Sequence, residues 1–529
     1  MATSATYVSH IAVPARVTPR LQVVAGLIVL AALSIPLLLA EPGPLSSDES
    51  LYVSEGLNLA QGKGFTYTTG EAVHHRGPLF PALLAADFSV AGASVDSARW
   101  VPRLFALASA ALVLALGWRF FGRTTGMLAA GAALVSSLLV LMSTTLFLEG
   151  VQTFFLLAML LCLYPALKQG KPGWAALAGG ALGLAMLTKE SALLWLPLPF
   201  LAALLLGRAV SRPWPLLGAY AGGFLAVAGW WWPYVYAVTG QVFLLGAPSS
   251  AALWLGAGAL CVAVVAAGAV IVARRGGGAS PTGVCLSPQA RWPVVGLFLS
   301  AWGGLFLVGL ERHSTWPFPA DYLTNVPDYT ATVLASWARP LPIIAVAWGY
   351  VAYRAYRGSL GDRLLLLGLL LFLPFALFVA NRDLHVRDVL PLVYLSYVAL
   401  GRAAIDCARW IAESAAEHLT PATSTGLAAL FVLSGLGWFA IVETQRFDDV
   451  RAGFDSAAVR QDNWDNPLVT RAAGWISQHV PPGTPVMSGR LYYSQLYTLT
   501  DGRYPWWQLP TVRVDFEGAR LRRGPELVR

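Results

Sequence analysis

The sequence predicts an all-α polytopic membrane protein of about thirteen transmembrane helices, with extracytoplasmic amphipathic helices and a small α/β domain at the C-terminal end. Three observations lead there. Of 529 residues, 56% are hydrophobic and only 12% charged, about half the charged share of an ordinary soluble domain. The apolar residues fall in long unbroken blocks, and a helix needs about 20 of them to cross the hydrocarbon layer. The basic residues gather at the ends of those blocks, so the net charge of +8 fits membrane anchoring and topology better than nucleic acid.

Apolar blocks predict helices near 21–40, 101–118, 125–147, 151–167, 172–188, 191–207, 213–236, 251–273, 292–310, 338–353, 364–380, 388–405 and 424–442. The first is read as a membrane helix rather than a signal peptide, because no small-x-small cleavage site follows it. With the N-terminus placed inside, every second loop carries at least two cations: Arg16 and Arg20, Arg119 and Arg123, Lys168 and Lys171, Arg208 and Arg212, and so on to Arg402 and Arg409. The positive-inside rule then puts residues 1–20 in the cytoplasm of a multi-pass plasma-membrane protein and the C-terminus outside. The chain divides into a transmembrane domain over 21–442 and an outside tail over 443–529. In the tail, Arg471–Val480 reads as a short helix and Val486–Met487 as the start of a strand. None of the four cysteines, Cys162, Cys261, Cys285 and Cys407, falls in an outside loop, so neither a disulfide framework nor a zinc site is expected.

The loop over 41–99 is patterned. Ser46-x-x-Glu49 has the form of a capping box before a helix of about 50–61 that stops at Gly62. Pro78 suits the first turn of a second helix, Leu79 to Val90. Two helices on the membrane surface and a plain surface loop both fit.

Charged residues recur at the outside ends of the helices. Asp48-Glu49 follows the first span, where the helix dipole alone favours acids. His74-His75-Arg76-Gly77-Pro78 follows in the same loop; adjacent histidines cannot share a helix face, so a metal there is poorly supported, whereas Arg76 suits an anion or a lipid headgroup. Glu149 stands between two apolar runs, where an acid is costly unless paired. Lys189-Glu190 occupies another tight turn, and its plain reading is a mutual ion pair. Arg382 and Arg387 lie in a charged cluster between the eleventh and twelfth helices. Two acids and several cations brought to one membrane face suit transfer from a phosphate-linked donor: a carboxylate takes a proton from an acceptor hydroxyl, and cations stabilise the departing phosphate.

The order of these segments resembles the GT-C class of membrane glycosyltransferases, nearest its protein O-mannosyltransferase-like and aminoarabinose transferase branches. The resemblance rests on Ser47-Asp48-Glu49-Ser50-Leu51-Tyr52, Arg76-Gly77-Pro78-Leu79, Glu149, Leu187-Thr188-Lys189-Glu190 and Arg387-Asp388-Val389-Leu390-Pro391. It implies Asp48 as catalytic base beside Glu49, and Glu149 as an acid that orients the acceptor or a cation. It implies Arg76, Lys189, Arg382 and Arg387 as ligands of the donor phosphate, with Tyr52, His75 and Glu190 near the acceptor or pocket. The donor would be a polyprenyl-phosphate sugar and the acceptor a hydroxyl of a lipid, glycan or protein, with no cofactor; the acids leave room for a divalent metal that is not expected to be required. Two departures stand out: Gly77 replaces the first proline of the usual Pro-Pro-Leu, and Asp388 replaces an aromatic. The rival reading is a transporter or lipid flippase, but such proteins show internal repeats and midplane charges, and neither is visible here.

Overall fold

In a computed structural model the described residues are 19–42, 47–68, 70–74, 76–206, 210, 213–240, 243–244, 247–248, 291–302, 340–382, 386–462, 467–484, 486–488, 506–508, 513–515 and 520–522. They are mostly helical. The first part of the chain forms α1 (Pro19–Leu33), α2 (Ile35–Leu39), α3 (Ser47–Ala60), α4 (Leu79–Ala91), α5 (Val95–Ala98), α6 (Trp100–Phe121), α7 (Arg123–Leu134), α8 (Ser137–Thr144), α9 (Glu149–Gln169), α10 (Pro172–Thr188), α11 (Leu198–Leu206), α12 (Pro213–Ala228) and α13 (Trp231–Thr239). After helical residues 291–302 come α14 (Leu341–Tyr356), α15 (Leu360–Arg382), α16 (Leu390–Ala416), α17 (Pro421–Asp462) and α18 (Pro467–His479). The expected helix at 251–273 lies outside the described residues.

Four stretches among the described residues are helical, long and apolar enough to cross a membrane: Val95–Phe121, which takes in α5 and α6, Glu149–Gln169, Leu390–Ala416 and Pro421–Gln445. A fifth is the pair α7–α8, bent by 60°. Other expected spans are broken into shorter apolar pieces. The block at 21–40 divides at Ser34, just before Pro36, whose missing N–H cannot continue a helix. The block at 191–207 starts as a 3-10 turn, Glu190–Trp195, and the block at 213–236 divides between α12 and α13. Such breaks persist at membrane depth only where other groups satisfy the freed backbone. At the α7–α8 bend a buried acid does this: Glu443 of α17 accepts from the Ser137 backbone N–H at 2.9 Å and from its hydroxyl at 2.8 Å. Tyr397 of α16 donates to the neighbouring Ser136 hydroxyl.

Small residues let the helix backbones approach. A Cβ on Gly179 of α10 would lie 1.9 Å from the Tyr220 carbonyl oxygen of α12, and one on Gly223 would lie 2.1 Å from that of Ala176. Close backbone packing of this kind replaces the hydrophobic drive that lipid cannot supply. The buried core includes Leu116, Leu139, Leu160, Leu182, Trp195, Phe372 and Tyr394.

The expected loop helices are both present as α3 and α4, packed at Gly56, where a Cβ would come within 2.8 Å of the Leu84 Cβ. After α3 the chain turns through Gly62 (φ +73) and Gly64 (φ +81), in the left-handed region that glycine tolerates. Asn58 then pins the turn by donating to the backbone oxygens of Thr66 and Tyr67. In the tail, α17 runs through the expected division at 442/443. The tail also has α18 close to its expected place, a parallel pair of short strands (Val486–Ser488 with Trp506–Gln508) and an antiparallel pair (Arg513–Asp515 with Arg520–Arg522).

Candidate active site

Adjacent residues on a helix point about 100° apart, and the Asp48-Glu49 pair at the start of α3 divides accordingly. Asp48 Oδ2 accepts from Arg387 Nη2 at 2.6 Å, and its side chain stays 41% exposed. Glu49 turns inward, 2% exposed, and its Oε1 accepts the Leu146 backbone N–H at 2.7 Å. Glu49 therefore ties α3 to the break between α8 and α9, while Asp48 faces the charged cluster.

Glu149 opens α9 at the centre of that cluster. Its Oε1 receives Lys189 Nζ at 2.7 Å and lies 3.7 Å from Arg387 Nε. Its Oε2 is buried without a hydrogen-bond partner. Arg387 also lies over the Phe147 ring, 4.0 Å from its centre, a cation–π contact that fixes the guanidinium plane. The expected Lys189–Glu190 pair does not form. Adjacent residues at a helix end diverge, so Lys189 reaches Glu149 and Glu190 accepts from the Trp231 indole at 3.4 Å. Lys189 is also held through its backbone: Gln152, one turn into α9, donates to the Lys189 carbonyl at 2.8 Å and to the Ser191 hydroxyl at 2.9 Å.

Arg76 arrives from the loop before α4. A Cβ on the next residue, Gly77, would lie 2.0 Å from the Leu187 carbonyl oxygen. The loop is thus pressed onto the end of α10, two residues before Lys189, and only glycine fits. The Arg76 charge acts on Asp48, Tyr52, Glu55, Glu149 and Arg387. Burial pushes the Asp48 carboxyl up, but Arg387 and then Arg76 outweigh it and hold it below the ordinary value. Tyr52, four residues on, is buried edge-on against Phe80, and burial keeps its phenol protonated.

The structure therefore brings together Asp48, Tyr52, Arg76, Glu149, Lys189 and Arg387 from four distant segments. It directs Glu49 and Glu190 to neighbouring structural partners. His75 and the Arg382 side chain lie outside the described residues. The sequence reading missed Glu55. It lies on the same α3 stripe as Asp48 and Tyr52 (i, i+4, i+7), fully buried, with neither oxygen hydrogen-bonded, and burial pushes its carboxyl up to about 8. That helical spacing was the signal available. Gln152, read simply as part of an apolar span, was also missed. Among the described residues, no three His, Cys, Asp or Glu side chains are placed to hold a metal. Three cations against two carboxylates leave the cluster with one net positive charge, a site suited to an anion.

These features define a multi-pass helical membrane protein with a polar site at one end of its helices. Residues 75–232 match the family described as dolichyl-phosphate-mannose-protein mannosyltransferase. The fold is similar to the oligosaccharyltransferase of Archaeoglobus fulgidus in its apo form, at 16% identity and TM-score 0.58, over 91% of this chain and 64% of that one. It is also similar to AglB of that organism in complex with an inhibitory peptide and a dolichol-phosphate, at 14% identity and TM-score 0.56, over 92% and 64%. ArnT from Cupriavidus metallidurans in the apo state matches at 14% identity and TM-score 0.55, over 92% of this chain and 85% of that one. The chain thus spans just under two thirds of the archaeal enzymes' length. No curated protein sequence matches it.

Proposed function

We propose that the protein moves a sugar from a polyprenyl-phosphate donor to a hydroxyl acceptor at the extracytoplasmic face, by an inverting displacement. The observation that carries this reading is the convergence of Asp48 and Glu149 with Arg76, Lys189 and Arg387. The matching family and the dolichol-phosphate bound by the archaeal neighbour support a lipid-phosphate donor. The donor phosphate binds between the three cations and competes with Asp48 for Arg387. Relieved of its tightest ion pair, Asp48 becomes a stronger base and takes the proton of the acceptor hydroxyl. The acceptor oxygen bonds to the anomeric carbon from the opposite side, and the bond from that carbon to the phosphate oxygen breaks. The electron pair stays on the phosphate, where the cations stabilise it. Glu149 keeps Lys189 and Arg387 in place before the donor arrives.

The test is Asp48→Asn, with transfer and donor binding measured separately. A base contributes roughly a hundredfold or more, so turnover should fall at least that far while donor binding persists. Near-normal turnover would leave Asp48 a helix cap with an ion pair. Vectorial movement of the lipid without glycosyl transfer would favour the flippase reading.

A further inference from the structure

At the other end of the helices lies a second feature, unconnected with the charged site. A groove of about 700 Å³ opens between α7, α14, α16 and α17, walled by Ala132, Val346, Ala404, Trp410, Phe431 and Gly435. Its walls on α16 run from Leu400 to Trp410, about 15 Å at 1.5 Å per residue. That is half the roughly 30 Å hydrocarbon thickness, so the groove serves one leaflet. A spanning helix of a partner protein would need a furrow of twice the length; a single acyl chain does not.

The groove ends at charge. Tyr350 and Asp406 line it, and the Tyr350 hydroxyl donates to Asp406 Oδ2. Arg402 and Arg409 both donate to Asp406 Oδ1, at 2.9 and 3.0 Å. Arg402 also lies 3.8 Å from the fully buried Asp362, and the charge of Arg354 acts on Asp362 and Tyr350. Three guanidinium groups thus stand around two carboxylates behind Asp406, the charged residue of the groove wall, and Arg409 among them is 57% exposed. By helix rise, Asp406 is about 24 Å from the start of α16, next to which Arg387 stands. Basic mouths of apolar clefts between membrane helices suit anionic lipid headgroups.

We infer that this groove is a binding site for one acyl chain of an anionic phospholipid from the leaflet opposite the charged site, its phosphate held at Arg409 and the neighbouring arginines. The probe is phosphatidylglycerol, with phosphatidylcholine as the neutral comparison, added to the purified full chain in detergent and counted as bound adducts by native mass spectrometry. Gly435→Leu is the first variant, because Gly435 lines the groove and a Cβ there meets nothing within 4 Å. It should weaken phosphatidylglycerol retention at least tenfold with the melting temperature kept. Arg409→Gln should remove the preference for phosphatidylglycerol over phosphatidylcholine while a lipid is still retained. Equal retention of both lipids by the native chain, or no loss in Gly435→Leu, overturns the proposal. So does a chain-to-chain cross-link in the native protein that Gly435→Leu abolishes, because the groove would then be filled by a second copy.

Discussion

Replacing Gly77 with alanine tests how the charged site is assembled. The new Cβ would stand 2.0 Å from the Leu187 carbonyl oxygen and 2.3 Å from its carbon. Reaching an ordinary contact of 3.4 Å means parting the two backbones by about 1.4 Å. Leu187 leads directly into Lys189, and Gly77 follows Arg76, so the separation falls between two of the three cations. A misplacement of about 1 Å can cost on the order of a hundredfold in rate, whereas overpacking a tight contact costs about 1–3 kcal/mol of stability. Gly77→Ala should therefore lose roughly a hundredfold in turnover and weaken donor binding, yet remain folded. Gly218→Ala is the control, since a Cβ there touches nothing within 4 Å. The assay is transfer by purified protein, with a thermal melt on the same sample. Gly77→Ala protein that turns over like the native enzyme would show that Arg76 and Lys189 need no fixed spacing, and the shared phosphate site would be refuted.

Glu149→Gln should take from buried Lys189 the carboxylate it meets at 2.7 Å, while Arg387 keeps Asp48, lowering stability by about 3–5 kcal/mol; combined with Lys189→Met, melting should show a loss well below the sum of the single changes. Because Arg387 helps hold the Asp48 carboxyl below its ordinary value, Asp48 stays ionised down to acid pH and loses its charge only as pH falls through that lowered value. Arg387→Gln should move this limb of the free-enzyme pH–rate profile upward, and an unmoved limb would assign it to another group. Glu55 has the opposite sign: its carboxyl lies at about 8 against an ordinary 4.5, so the folded state holds a proton that the unfolded chain gives up. Native stability should fall as pH rises from about 4.5 to 8, and Glu55→Gln melts at pH 5 and pH 8.5 should show the variant gaining on the native protein at the higher value.

The helical membrane class and the gathering of charge at one face were legible because both depend on one-dimensional patterns. Long apolar blocks admit few other structures, and an acid such as Glu149 between two of them stands out. What each charge touches was not legible, since it depends on helix rotation. Asp48 and Glu49 are neighbours in sequence yet serve opposite sides of α3. Lys189 and Glu190 look like a pair and are not one. The break inside the expected span at 125–147 was hidden for a related reason. The α7–α8 bend carries no proline and is satisfied by Glu443, some three hundred residues away. Glu55 was missed because it lies in a segment read for its ends, not for the stripe it shares with Asp48 and Tyr52.

The two acids that grip α8 have a consequence for biosynthesis. Glu443 secures the N-terminal end of that short helix, and Glu49 secures the residues just beyond its other end, from which Glu149 enters the site. One anchor leaves the ribosome early and the other only after the last long helix begins to emerge. The α7–α8 bend therefore lacks the acceptor for its Ser137 N–H and hydroxyl until α17 has been made, while the α8–α9 break can be tied to Glu49 as soon as both are in place.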